Sequence, residues 1–339
     1  MSLYLAESIA LAIVISWLID RYLGEPNVAW HPVVWMGHYL NYCGQGIAPK
    51  ASEAANEVAN EVENEVAKDE TVKINIRHIA KQFLTGVLAW LFAAILLAWG
   101  ALQLQHMIAT LAWYWQGILL GVLLKPLFSW QMLRDEVVAV ETALQNSLNA
   151  GRDQLARLVS REVKQLQAHE VRESAIETLA ENLNDSVISP MFWFVLAGLP
   201  GVLLYRFANT ADAMWGYRGE RGGRIWTWAG KWAAHADDFL SWPGARFSAL
   251  LMYLSRAQFP DCRLWREAKK TSSPNGGWPM GAMALILNIR LSKSGVYILN
   301  VNGTEVDHTH IALAVGLCEK AIWWWFGSVG LFLFGIHWI

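Results

Sequence analysis

The stretch IETLAENLNDSVISPMFWFV, residues 176–195, changes character at its midpoint. Its first half carries Glu177, Glu181 and Asp185, and its second half is apolar enough to enter the hydrocarbon of a membrane. At about 100° per residue the three acids fall on one face of a helix, which Ser174 also shares. Like charges on one helix face repel each other, so the pattern predicts a bound cation such as Mg²⁺. A solvated helix face is the alternative. Ile176, Leu179 and Leu183 lie largely on the other faces of this helix, which we predict to face the core.

The composition of the whole chain is typical of an integral membrane protein. Of its 339 residues, 54% are hydrophobic and only 17% are charged, which is less charge than a soluble domain carries. Its 20 tryptophans suit a chain that meets membrane–water interfaces. A net charge of -2 argues against nucleic acid as a partner. The three cysteines lie far apart and match no metal or redox spacing.

Apolar runs predict the path of the chain through the membrane, because a span takes about 20 residues. Four runs, given at the end of this paragraph, are expected to cross the membrane. A fifth apolar run, 187–205, contains Pro190 and the sequence Gly-Leu-Pro-Gly, so we expect a re-entrant or protein-buried helix there. Every Lys and Arg except Lys125 then lies in residues 20–82 or 131–320, which the positive-inside rule assigns to the cytoplasm. The prediction is an all-α polytopic membrane protein with cytosolic helical loops. Its four expected spans are 3–19, 83–104, 107–130 and 321–339.

The remaining segments are assigned from composition and periodicity. Residues 51–70 form a low-complexity acidic insertion of repeated Asn-Glu-Val, predicted to be a solvated helix or a disordered linker. Residues 131–186 have the period of an amphipathic helical hairpin, and residues 206–280 suggest short helices separated by turns. We therefore predict one domain over 1–339, with a cytosol-facing catalytic region at 131–320.

Candidate binding residues follow the fifth apolar run. In YRFANTADAMWGYR, residues 205–218, Asn209 and Asp212 lie one helical turn apart, and Arg218 is a planar donor suited to phosphate or carboxylate. A helix cap is the alternative for Asn209. Further along, Asp237 and Asp238 precede an apolar helix, where a favourable helix-dipole charge is the alternative.

Two loops add further candidates. TSSPNGGWPM, residues 271–280, is a turn whose backbone amides are able to form an anion-binding nest, although many such turns bind nothing. His31, which precedes Pro32, is a ligand candidate, with a structural histidine as the commoner alternative.

The order of these motifs resembles one family. Asp-x-x-x-Gly-Glu-Pro and His-Pro-Val-Val at 20–34 precede Glu-Thr-x-x-Glu-Asn-x-x-Asp at 177–185 and Leu-Tyr-Arg-x-Ala-Asn-Thr-x-Asp-Ala-Met-Trp-Gly-Tyr-Arg at 204–218. Asp-Asp at 237–238, Pro-x-Ala-Arg at 243–246 and Ser-Pro-Asn-x-Gly at 273–277 follow. Over nearly the whole chain this series resembles the CobD/CbiB family of cobalamin biosynthesis, the adenosylcobinamide-phosphate synthases.

The resemblance implies a multi-pass ligase of the inner membrane with its active region facing the cytoplasm. It implies that an aminopropanol, or its O-phosphate, is joined to the free propionate of adenosylcobyric acid, with ATP and Mg²⁺ required. A homo-oligomer or an assembly with other late cobalamin enzymes stays open. The expected metal ligands are Glu177, Glu181, Asp185 and Asp212. The expected catalytic residues are Asp237, Asp238 and Arg246, and the expected substrate contacts are His31, Asn182, Asn209, Tyr217, Arg218, Ser273, Asn275 and Gly276.

Three positions depart from the usual family pattern. Ser160-Arg161-Glu162-Val163 stands where Gly-Arg-Asp-Thr is common, Glu25 stands for Asp, and residues 291–295 lack the usual Gly-Gly before Tyr297. Two other functions are the alternatives: a non-catalytic membrane sensor of the same fold, and a corrinoid transporter. The crowded acids disfavour the first, and the nearly nonpolar spans disfavour the second.

Overall fold

The computed structural model describes residues 3–52 and 68–337, and helices dominate this part of the chain. The predicted all-α class is confirmed. Residues 53–67 of the acidic insertion lie outside the described residues. In chain order the helices are α1 (Leu3–Leu23), α2 (Pro32–Ile47), α3 (Lys68–Ala109), α4 (Trp113–Leu124), α5 (Gln131–Asn146), α6 (Leu148–Leu155), α7 (Ala168–Leu183), α8 (Ser189–Trp215), α9 (Lys231–Leu254), α10 (Cys262–Ala268), α11 (Gly277–Ile286) and α12 (His310–His337).

Short strands in the described part form two antiparallel pairs. β1 (Glu220–Arg221) pairs with β2 (Arg224–Ile225), and β3 (Leu291–Lys293) pairs with β4 (Tyr297–Leu299). In the second pair Lys293 lies directly opposite Tyr297. Opposite residues of an antiparallel pair project from the same face, so this hairpin presents a cation and a phenol together.

The chain divides into two compact units. The first unit comprises residues 1–25, 106–198 and 241–339. The second unit comprises residues 26–105 and 199–240.

Helix α7 is central to the first unit, where it contacts α5, α6, α11, α12 and β3. Its apolar side chains Ile176, Leu179 and Leu183 are fully buried, which confirms the predicted core face. Elsewhere in this unit α1 packs closely on α4. A Cβ atom at Gly117 would lie 2.7 Å from the Cβ of Leu11, so glycine permits this approach.

A single π-helical turn, Asn184–Ile188, separates α7 from α8. This turn contains one residue more than an α-helical turn and rotates the following side chains by about 100°. Asp185 is the second residue of this turn. Turns of this kind recur at functional sites.

The second unit has an aromatic core. Trp90 packs on Phe207 with ring centroids 5.7 Å apart, and Trp215 stacks on Trp226 at 6.3 Å. The indole N–H of Trp215 donates to the carbonyl of Leu40, 3.1 Å away, so the buried polar atom has a partner.

The predicted span 107–130 is wrong as a single helix. α3 ends at Ala109, and α4 has only 12 residues before a 3₁₀ turn at Lys125–Leu127. Twelve residues span about 18 Å, less than the ~30 Å hydrocarbon core. The polar Gln116 explains the break, because its amide nitrogen donates to the carbonyls of Ala109 and Leu111, at 3.2 and 2.8 Å.

Two further segment predictions need correction. Residues 131–186 contain three helices instead of a hairpin, because Ser147 is extended and accepts the N–H of Ala150, which starts α6. Residues 206–280 are not only short helices, since α9 has 24 residues and continues through Pro243. Proline removes one helical N–H donor, and the flanking apolar turns maintain the helix here.

Two helical stretches of the described chain are long and apolar enough to cross a membrane: Arg77–Ala109 and Ala168–Trp215. Core helices of soluble proteins also meet this criterion, so it is weak support for membrane association. The first stretch contains the predicted span 83–104. The second contains 187–205, which is kinked at Gly198 (φ 63°) and has Val187, Met191 and Phe194 fully buried.

Candidate active site

A polar pocket of about 190 Å³ lies in the first unit, between α7, the β3–β4 hairpin and the loop before α7. We call it the acid pocket. Its lining combines carboxylates, cations, an amide and a phenol, which makes it a small site of mixed charge. Its polar lining residues are Ser160, Arg161, Glu177, Thr178, Glu181, Asn182, Lys293 and Tyr297.

Glu177 is buried beside a cation. Its Oε2 lies 3.0 Å from Nη2 of Arg161, which also donates to the hydroxyl of Ser174. Its other oxygen, Oε1, is buried without a hydrogen-bond partner among the described residues. A buried unpaired carboxylate oxygen is costly, so Oε1 is available to a ligand cation or donor.

A second buried carboxylate attaches the hairpin to α7. Oε2 of Glu173 accepts the backbone N–H of Ser292 at 2.8 Å and its hydroxyl at 2.5 Å. This contact holds Lys293 and Tyr297 at the pocket wall. Burial, then the charge of Glu177, raises the pKa of Tyr297, so its phenol stays protonated at neutral pH. Its hydroxyl donates to Sδ of Met280 at 3.8 Å.

The 273–277 turn lies against Glu181. A Cβ at Gly276 would be 2.9 Å from Oε1 of Glu181, so glycine allows the close approach. The N–H groups of Asn275 and Gly276 donate to the hydroxyl of Ser273 at 3.2 and 3.1 Å. These two amides are already satisfied, which does not support their predicted use as an anion nest.

Arg246 holds this turn in place. Its Nη1 donates to Oδ1 of Asn275, and its Nη2 donates to the carbonyl of Pro274 at 3.0 Å. The guanidinium lies 4.8 Å from the ring centroids of both Trp242 and Trp278. Burial lowers the pKa of Arg246, but its base value is so high that it stays charged. Its contacts make it a positioning residue for the turn.

Asp185 and Asn182 have different surroundings. Asn182 lines the acid pocket and donates to the carbonyl of Thr178 at 3.0 Å. Asp185 lies in the π turn and accepts the side-chain N–H of Asn184 at 2.7 Å. Asn184 in turn accepts the hydroxyl of Ser189 at 2.7 Å. The pocket lining therefore includes Glu177 and Glu181 of the predicted acidic face. Asp185 is instead hydrogen-bonded to Asn184, which is bonded to Ser189.

In the second unit, Asn209 is a contact of an aspartate and not a helix cap. It lies inside α8, and its amide nitrogen donates to Oδ1 of Asp237 at 3.3 Å. Burial raises the pKa of Asp238, and His235 and Arg218 partly offset this shift. Asp237 and Asp238 lie in the second turn of α9, not ahead of the helix as expected.

Three other predicted residues of this unit have local contacts. The hydroxyl of Tyr217 donates to the carbonyl of Ala213 at 2.9 Å. A Cβ at Gly216 would lie 1.9 Å from Oδ1 of Asp212, so the Asp212 carboxylate packs against this turn. His31 caps α2, with its Nδ1 accepting the N–H of Val33 at 3.3 Å. That contact favours the structural reading of His31.

The predicted metal ligands do not form one cluster. In residues 3–52 and 68–337, no three or more His, Cys, Asp and Glu side chains gather in the way that a protein-only metal site requires. Glu177 and Glu181 share the acid pocket, and Asp212 belongs to the second unit. Two carboxylates fit Mg²⁺ when substrate phosphates supply the remaining ligands.

Sequence reasoning missed the cationic half of the pocket. Arg161 and Lys293 were not assigned, and Tyr297 was noted only as a landmark in a segment that departs from the family pattern. The sequence signal that could have found them was that they lie in or next to the segments that depart from the family pattern. Ser160, Arg161, Lys293 and Tyr297, from two of the departing segments, all line the acid pocket.

Comparison with known proteins identifies relatives along nearly the full chain. The family model described as CobD/Cbib protein matches residues 13–322. The cobalamin biosynthesis protein CobD of Halalkalibacterium halodurans is 35% identical over 309 residues, covering 85% of this chain and 82% of the relative. That of Rhizobium meliloti is 33% identical over 321 residues, covering 89% and 86%. The probable cobalamin biosynthesis protein CobD of Methanothermobacter thermautotrophicus is 30% identical over 313 residues, covering 90% and 91%. No solved structure matches the chain.

Proposed function

Because the chain belongs to the CobD/CbiB family of cobalamin biosynthesis proteins, we propose that it is an adenosylcobinamide-phosphate synthase. It joins (R)-1-amino-2-propanol, or the O-phosphate of that alcohol, to the free propionate of adenosylcobyric acid. ATP is the co-substrate and Mg²⁺ the metal. The observation that best supports this reaction is the acid pocket, where Glu177 and Glu181 lie with Arg161 and Lys293.

The chemistry requires activation of a carboxylate. We propose that the propionate oxygen takes the γ-phosphoryl group of ATP, and that ADP leaves. The amine nitrogen then forms the C–N bond, and inorganic phosphate departs with the electrons of the broken C–O bond. The ammonium loses one proton before attack and a second proton as the amide forms. Both stages develop negative charge on phosphate oxygens, which fixed cations stabilise.

The pocket residues have the donor types for this chemistry. Glu177 and Glu181 would hold Mg²⁺, which neutralises phosphate charge when it is bound. Arg161 and Lys293 would bind phosphate oxygens. Asn182 orients a substrate amide.

For Asp237 and Asp238, which belong to the second unit, the proposed role of proton acceptor rests on the family resemblance. Burial raises the pKa of Asp238, which is the direction that suits a carboxylate accepting a proton from an ammonium. Asp237, held by Asn209 at 3.3 Å, is the alternative acceptor.

We further propose that the protein is a multi-pass protein of the inner membrane, with its active region facing the cytoplasm. Large apolar side chains are exposed along α3, where Leu88, Phe92 and Trp99 are each at least 60% exposed. An exposed apolar stripe of this kind suits contact with lipid. The concentration of Lys and Arg in residues 20–82 and 131–320 supports the cytoplasmic orientation.

Complementation distinguishes this function from its alternatives. In a strain that lacks the synthase step, the chain should restore conversion of supplied cobyric acid into cobinamide. A non-catalytic sensor would leave cobyric acid unchanged. A transporter would raise the corrinoid content of the cells without forming cobinamide. Absence of cobinamide, with the protein present in the membrane at the level of a functional control, would contradict the proposal.

A further inference from the structure

The second unit contains a groove whose lining includes Tyr217 among the residues assigned above and no other assigned residue. It has a volume of about 470 Å³ and lies between α2, the end of α8 and the β1–β2 hairpin. This volume lies within the range of small-molecule sites. We call it the hairpin groove. The side chains important for its chemistry are Asn41, Gln45, Tyr217, Arg221, Arg224 and Trp226.

The hairpin that carries the two arginines is fixed to the segment after α2. The N–H of Ile225 donates to the carbonyl of Pro49 at 3.0 Å, and the N–H of Ala51 donates to that of Gly223 at 2.9 Å. Nη1 of Arg224 donates to the carbonyl of Ala48 at 2.6 Å. These contacts restrain the backbone on both sides of the turn. The arginines therefore project from a preorganised frame, which lowers the entropic cost of ligand binding.

The floor of the groove is aromatic and tightly packed. A Cβ at Gly44 would lie 2.8 Å from Trp226 and 3.0 Å from Nε1 of Trp215, so a side chain at this position would collide with the floor. The indole N–H of Trp226 donates to the carbonyl of Arg221 at 3.2 Å. The floor thus joins α2 to the hairpin.

The charge of the lining is entirely positive. Two arginines line the groove, and no Asp or Glu is among its lining residues. The guanidinium of Arg221 lies 3.9 Å from the ring centroid of Tyr217. Among the described residues, no ion pair involves Arg221. A guanidinium stacked on a ring keeps its in-plane N–H donors available for an anion. The exposed amides of Asn41 and Gln45 face the same space.

From this placement we propose that the hairpin groove binds a phosphate-bearing ligand through Arg221 and Arg224. Planar arginine donors match the oxygens of phosphate in bidentate fashion. A nucleotide, a phosphorylated amino alcohol and an anionic lipid headgroup share this chemistry. Inorganic phosphate and anionic lipid test the inference apart from the proposed ligation, whereas ATP and the phosphorylated amino alcohol are also proposed substrates of that reaction.

The test is equilibrium binding to the purified full-length protein by calorimetry. Its arms are inorganic phosphate, ATP, 1-amino-2-propanol O-phosphate, and phosphatidylglycerol vesicles compared with phosphatidylcholine vesicles. At least one phosphate probe should bind, and the arm that binds most tightly identifies the source. Arg221→Gln should weaken that binding by about 10-fold or more, because it removes a charge-assisted contact.

The control is Lys231→Gln, which removes a cation stacked on Trp228 at 4.2 Å, outside the groove lining. It should leave binding unchanged. If Arg221→Gln fails to fold, Gln45→Glu replaces it, because a carboxylate at this exposed position should also weaken phosphate binding. The proposal is overturned if no probe binds, or if the folded groove variants bind phosphate as tightly as the control.

Discussion

Glu181→Gln should lower the rate of cobinamide formation by about 100-fold or more, the size of effect seen when a group that stabilises transition-state charge is removed. Glutamine keeps the volume of the side chain, so the close packing against Gly276 is preserved. What is lost is a carboxylate able to bind a cation, in a pocket that also holds Glu177, Arg161 and Lys293. The measurement is the initial rate of amide formation with purified protein at saturating Mg²⁺.

Glu162→Gln is the matched control for this variant. Glu162 is exposed in the loop before α7, where it accepts the N–H of Lys164 at 3.0 Å, and it is not part of the pocket lining. Its variant should retain wild-type activity. If Glu181→Gln retained more than about half of the wild-type rate, a difference of under 0.5 kcal/mol in barrier, Glu181 would have no part in the reaction.

The largest expected effect on stability comes from Gly230→Ala. A Cβ at this position would lie 1.7 Å from the carbonyl oxygen of Trp215 and 2.4 Å from its carbonyl carbon. Both are backbone atoms, so relief requires a shift of α9 or of the end of α8 in the aromatic core. We expect a loss of about 3 kcal/mol, at the upper end for overpacked sites. For a chain of 339 residues, that loss should lower the melting temperature by about 4 °C.

Gly219→Ala is the control, since nothing lies within 4 Å of a Cβ at that position. Its melting temperature should stay close to that of the wild type, as expected for surface substitutions. The measurement is thermal unfolding of detergent-solubilised protein, followed by tryptophan fluorescence. Equal melting temperatures for the two variants would show that the approach of Gly230 to Trp215 is not close in solution.

The fold class and the acidic helix were predictable because they depend on local periodicity. The apolar residues Ile176, Leu179 and Leu183 recur at helical spacing and are buried, as the pattern indicates. The path of the chain at 107–130 was not predictable from hydropathy. The side-chain amide of Gln116 donates to the carbonyl of Ala109, the last residue of α3, and to that of Leu111. A hydropathy average over 20 residues does not detect such a contact.

The site was predicted in part, for a similar reason. Helical spacing brings Glu177 and Glu181 together in the acid pocket, whereas Asp185, in the π turn at Asn184–Ile188, is not among the pocket lining residues. Such a turn has no simple sequence signature. The cations come from segments far away in the chain, Arg161 from a loop and Lys293 from a hairpin attached through Glu173. Contacts of that range depend on tertiary packing and not on local spacing.

The most direct test of the proposed reaction combines purified protein with adenosylcobyric acid, ATP, Mg²⁺ and each amine donor in turn. The expected result is an amide product accompanied by ADP and inorganic phosphate, formed by the wild type and by Glu162→Gln but not by Glu181→Gln. Formation of the amide at equal rates by all three proteins would contradict the role of the acid pocket. Absence of amide with every donor, from folded wild-type protein, would contradict the proposed function itself.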